Sequence, residues 1–156
     1  MPDMAERDLP YIDEHSRRID GDVADVWIAL GRLLARPTWP VTTVAVQLLG
    51  AQPARRSGDP LTAGSTVPGF AVTRATKPVE LALRGRHRFA RYALTFQLEP
   101  DAGATVMRAE SRAEFPGPAG RLYRTLVIGS RGHVIAVRRL LAAVERLTVP
   151  ASVPTA

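Results

Sequence analysis

The spacing of apolar residues changes twice along this chain. Val23, Val26, Trp27, Leu30, Leu33 and Leu34 recur every three to four positions, which predicts an amphipathic helix over Asp22–Ala35. Asp20-Gly21-Asp22 ahead of it supplies a turn and a helix cap, and Arg36-Pro37 ends it because proline disfavours a helical residue before it. Upstream, Tyr11–Ile19 reads as a polar strand carrying His15, Arg17 and Arg18, a pattern suited to a sheet edge or a half-solvated face. Trp39–Leu49 fits a short helix or a strand equally well, and Pro53–Gly69 reads as loop.

From Phe70 the period drops to two. Phe70–Lys77, Val79–Arg86, Arg91–Glu99 and Thr105–Phe115 are strand segments, with Pro100-Asp101-Ala102-Gly103 as a hairpin turn. Tyr92, Leu94, Phe96 and Leu98 share one face. Met107, Ala109, Ser111, Ala113 and Phe115 share another, opposite Val106, Arg108, Glu110, Arg112 and Glu114. A strand charged on one side and apolar on the other belongs to an antiparallel sheet with one covered and one wet face. After Pro116-Gly117-Pro118 the helical period returns, from Ala119 to Leu147, weakened by Gly129 and Gly132 so that the helix kinks or begins near Ser130. The order predicts an α+β fold: a curved antiparallel sheet of six to seven strands on a long C-terminal helix, with one or two short helices after the first strand. Small side chains at Ala109, Ser111 and Ala113 leave room between sheet and helix for a cavity.

Composition narrows the chemistry. At 156 residues the chain suits one domain, taken as residues 1–149 with a frayed tail at 150–156. With no cysteine there is no disulfide, thiolate nucleophile or cysteine metal site. Met1–Pro10 has acids and no apolar run, and no stretch approaches a membrane span, so a cytoplasmic location is expected. The net charge is +6, nearly all from arginine, since Lys77 is the sole lysine. The arginines are dispersed, so nucleic-acid binding is not expected, and an anionic-surface binder ranks third among the functions considered.

The layout over Tyr11–Leu147 resembles the START/Bet v 1-like (SRPBCC) superfamily, the polyketide cyclase/dehydrase and lipid-transport group, and looks like one of its bacterial branches. The resemblance rests on the opening strand running into Val26-Trp27, on Leu83-Arg84-Gly85-Arg86-His87-Arg88-Phe89 before the Tyr92 strand, and on the closing helix. It implies a helix-grip fold with a hydrophobic pocket between sheet and C-terminal helix. It assigns no chemistry by itself, because the superfamily includes carriers, receptors and enzymes.

The candidate ligand-binding residues are Tyr92, Leu94, Phe96, Met107, Tyr123, His133, Val137 and His87. Leu94, Phe96 and Met107 would form an apolar wall with the last helix. Tyr92, Tyr123, His87 and His133 would meet the polar end of a ligand. Three arginines around His87 would keep its ring neutral. His15, His87 and His133 have no metal-ligand spacing, so no metal and no cofactor are expected. The arginine and glutamate alternation of Arg108–Glu114 reads as a solvated face. No phosphate-binding loop, dinucleotide fingerprint or serine-hydrolase elbow is present. The leading function is binding of a small hydrophobic molecule, lipid-like or polyketide-like, by a monomer or homodimer. The alternative is a cyclase- or hydratase-type enzyme using a pocket His or Tyr.

Overall fold

The computed structural model describes residues 9–37 and 48–148. Strand β1 (Tyr11–Asp20) leads through a tight turn into helix α1 (Val23–Leu34). Asp22 caps the helix, its side chain accepting from the Asp25 N–H at 2.9 Å. Strands β2 (Thr66–Val67), β3 (Phe70–Thr76), β4 (Glu80–His87), β5 (Ala90–Asp101) and β6 (Ala104–Glu114) follow, then helices α2 (Gly117–Val127) and α3 (Gly132–Leu147).

The six strands form one antiparallel sheet in the order β1-β6-β5-β4-β3-β2. The chain therefore runs as a meander from β2 to β6, and the first strand closes against the last. Register shifts between Tyr11 and Asp13 in β1 and between Val72 and Arg74 in β3 mark bulges, which bend a strand and increase its twist. The sheet curls around α3, which packs on β1, β6 and α1. This is the helix-grip architecture that the sequence implied.

Two local expectations change, and the break near Ser130 takes a definite form. The β5–β6 turn is two residues, Ala102 and Gly103, both at positive φ, so the ladder extends through Pro100 and Asp101. Two-residue turns of that hand match the twist of the strands they join. The loop before Phe70 contains β2, paired with the start of β3. The long terminal helix is two helices: α2 closes at Ile128, and Arg131 stands in the left-handed region at φ 61° before α3 begins. Of the Trp39–Leu49 segment, Leu48 and Leu49 are helical and 39–47 lie outside the described residues, as do the 150–156 tail and residues 1–8.

The core is concentrated at one end of the sheet. Trp27, Leu30 and Leu34 of α1, Ile19 of β1, Phe96 and Leu98 of β5, Met107 of β6 and Leu141 and Val144 of α3 are fully buried together. On the outer face, arginines pair with acids: Arg108 with Glu14 and Glu99, Arg112 with Glu110, Arg18 with Asp101. Among the described residues no helix is long and apolar enough to cross a membrane.

Candidate functional site

Along β5 and β6 the inward positions pass from core to cavity. Phe96 and Met107 lie under α1 and are wholly buried, whereas Leu94, Tyr92, Ser111 and Ala113, further along the same faces, border open space. Helix α1 reaches only part of the sheet. Beyond it, the small side chains of Ser111 and Ala113 cannot fill the gap to α3. The result is a cavity of about 280 Å3 walled by β5, β6, α2 and α3, with Val137 and Leu140 of α3 opposite the sheet.

The structure brings Tyr92, Leu94, Tyr123, His133, Val137 and His87 to this wall. Phe96 and Met107 are placed elsewhere, in the core, at no exposure. Their parity along the strand is the inward one, but α1 covers them, and strand periodicity carries no information about where a helix stops.

One side of the cavity is aromatic. The Tyr123 ring stacks on Phe89 at 5.4 Å and meets the edge of His87 at 4.9 Å, and Phe70 packs edge-on against Tyr92 at 5.1 Å. Gly120 is the buried residue of α2, and it lets the helix approach Phe115 and Phe89 closely enough to deliver Tyr123. Tyr92 crosses over Gly85, its register partner on β4, and donates from its hydroxyl to the Gly69 carbonyl at 2.7 Å. Burial, with a contribution from neighbouring Tyr123, pushes the Tyr92 phenol up to about 12, and burial also raises Tyr123. Both phenols are neutral donors at physiological pH.

Burial lowers His87 below the ordinary imidazole range. The arginines beside it in sequence are not the cause: Arg86 turns away to hold the Gln52 side chain at 2.8 Å. The Phe89 N–H donates to His87 Nδ1 at 3.1 Å, which makes Nδ1 the acceptor and assigns the proton of the neutral ring to Nε2.

The other side is polar. His133 of α3 meets Asp13 of β1 through Nε2 at 3.2 Å, and His15 meets the second oxygen of the same carboxylate at 3.1 Å. Two of the three histidines thus converge on one carboxylate, and His87 lies among the aromatic residues. Among the described residues no cluster of His, Cys, Asp or Glu is arranged to hold a metal. Arg112 also reaches the wall, tied to Glu110 and to the Leu9 carbonyl. Between the two sides sits Ser111, 4% exposed.

Asp13, Ser111, Phe89 and Phe115 escaped the sequence reading as site residues. Ser111 had a usable signal, being a hydroxyl in phase with Met107 and Ala109 in the middle of a strand, as Thr105 is at its start. Asp13 shares a strand face with His15 two residues on, but its contact to the last helix lies 120 residues away.

A family model described as polyketide cyclase / dehydrase and lipid transport matches residues 14–146. No curated protein matches this chain. Among solved structures, a protein from Nitrosospira multiformis superposes with a TM-score of 0.58 at 15% identity, over 90% of this chain and 97% of that one. CalU16 from Micromonospora echinospora superposes at 0.53 and 17% identity, over 86% and 79%. DynU16, a putative protein in the dynemicin biosynthetic locus, does so at 0.53 and 17%, over 85% of this chain and 46% of that longer one. At such identities the likeness is one of fold. With a family model spanning most of its length and a sheet gripping its last helix, the chain belongs to the polyketide cyclase / dehydrase and lipid transport family.

Proposed function

We propose that this protein binds a small hydrophobic molecule, lipid-like or polyketide-like, in the cavity between the sheet and α3. The carrying observation is the cavity itself: about 280 Å3 of space, walled largely by apolar and aromatic side chains and interrupted by few polar groups. That composition is typical of small-molecule sites, and the volume lies near the lower end of their ~300–1,000 Å3 range, which favours a compact ligand. Tyr92, Leu94, Tyr123, His133, Val137 and His87 are the contacts proposed for it. Cytoplasmic residence and a monomer or homodimer belong to the same reading.

Native mass spectrometry of the purified protein, compared with its denatured mass, tests this. A discrete adduct lost on denaturation, and absent from a Val137→Phe variant that fills the cavity, is the expected result. An adduct that survives unchanged in the filled variant overturns the cavity as its location.

A second reading, a cyclase- or hydratase-type enzyme, is favoured by the Asp13–His133 pair. A carboxylate holding one imidazole nitrogen orients the ring and leaves the other nitrogen as a general base. If that reading holds, a compound recovered from the native protein changes mass on incubation with the wild type and not with His133→Gln.

A further inference from the structure

Among the described residues, Ser111 carries the one buried side-chain polar atom without a hydrogen-bond partner. Its Oγ is fully buried and makes no hydrogen bond, and Ser111 is one of the residues that line the cavity. A strand serine has ready alternatives: Thr73 and Thr105 on the same sheet both donate to backbone carbonyls. Ser111 does neither that nor bond a side chain. A buried hydroxyl with no partner in its own chain calls for one from outside it, an ordered water, an ion or a ligand.

We propose that Ser111 is the receptor for a neutral acceptor oxygen, the carbonyl of a ketone, ester or amide, on the apolar molecule that occupies the cavity. The inference rests on the binding function proposed above and specifies the chemical class of its ligand. Two features select a neutral carbonyl. The register partners of Ser111 are Leu94 on β5 and Asp13 on β1, so one neighbour is apolar and the other is an acid. A ligand carboxylate placed there would face the Asp13 carboxylate. The guanidinium of Arg112 is held on the outer face by Glu110 and by the Leu9 carbonyl, so it offers no free cation to a ligand anion beside Ser111. A carbonyl needs only donors, and one serine O–H can satisfy it. A ligand hydroxyl would bring a proton of its own that needs an acceptor as well.

Three probes of similar shape test this: 2-acetonaphthone, 2-ethylnaphthalene and 2-naphthoate, each titrated into wild type and Ser111→Ala at neutral pH by calorimetry. Replacing serine by alanine should weaken 2-acetonaphthone by roughly five- to tenfold, the value of one neutral hydrogen bond. It should leave 2-ethylnaphthalene unchanged or tighter, and in the wild type 2-naphthoate should bind more weakly than the ketone. Without ligand, Ser111→Ala should keep or raise the melting temperature, because it removes a buried hydroxyl that has no partner. If the substitution changes ketone and hydrocarbon by the same factor, or if naphthoate outcompetes the ketone, the assignment of Ser111 is overturned and the cavity reading stands. If no probe binds the folded wild type saturably, the cavity reading fails and takes this inference with it.

Discussion

Asp13 on the first strand and His133 on the last helix meet at 3.2 Å across 120 residues of sequence, and this contact fastens β1 to α3 beside the cavity. Further along the same two elements Arg17 pairs with Glu145, so the edge strand grips the helix at two points. The polar inward face of β1 has its explanation here: these side chains serve α3 where the neighbouring strands serve the core.

A double-mutant cycle with Asp13→Ala and His133→Ala should therefore give a coupling of about 0.5–1.5 kcal/mol in urea unfolding, the range for a partly screened polar pair with some burial. Additive losses would mean that the two residues stabilise the fold independently.

Gly85 is required by a neighbour. A Cβ at this position would collide with the Gly69 carbonyl and come within 2.6 Å of the Tyr92 ring. Gly85→Ala should cost about 2–4 kcal/mol, because backbone and a packed ring must both move. It should also displace the Tyr92 hydroxyl from Gly69, seen as a lower, more ordinary phenol titration than the value of about 12 in the wild type. A mild loss with an unchanged titration would contradict this packing.

Core and cavity residues on one strand should respond differently. Phe96→Ala should destabilise by about 3–5 kcal/mol, as large-to-small changes in full cores do. Leu94→Ala, at the cavity border, should cost less, since its site already adjoins space. Equal costs in thermal unfolding would mean that the adjoining cavity does not soften the Leu94 side of the shared core.

His87 sets an acid limit. Its folded pKa lies below 6.5 because burial disfavours the charged ring, so the unfolded chain takes up the proton first. Above about pH 6.5 both states are neutral and the group contributes no pH dependence. As pH falls below 6.5, stability should decline until the folded state is protonated too. His87→Gln should flatten that part of the stability–pH profile. A variant with the wild-type slope between pH 6.5 and 5 would assign the acid sensitivity to other groups.

Much of the architecture was legible in local patterning. The alternation of β6 placed Met107, Ala109, Ser111 and Ala113 inward and the charged residues outward, and the three-to-four spacing of Val26, Trp27 and Leu30 placed α1 against the core. Glycines at 129 and 132 marked the break before α3. These features are written in neighbouring residues, because strand and helix periods are properties of the backbone over a few positions. Resemblance of the whole layout then supplied the helix grip.

Period tells which face a residue occupies, and only tertiary structure tells what lies over that face. Phe96 and Leu94 are two positions apart with identical parity, yet one is sealed under α1 and the other borders a cavity, because the difference is set by where α1 ends in space. Asp13 and His133, or Tyr92 and Gly69, are joined by contacts that no local window contains. The proton on His87 Nε2 follows from a backbone N–H two residues on that the fold turns back toward Nδ1. The sequence by itself determined the elements, their order and the sidedness of the sheet, all short-range consequences of backbone geometry and apolar burial. The cavity, its polar and aromatic sides and the unpartnered hydroxyl of Ser111 were decided by packing between elements distant in the chain.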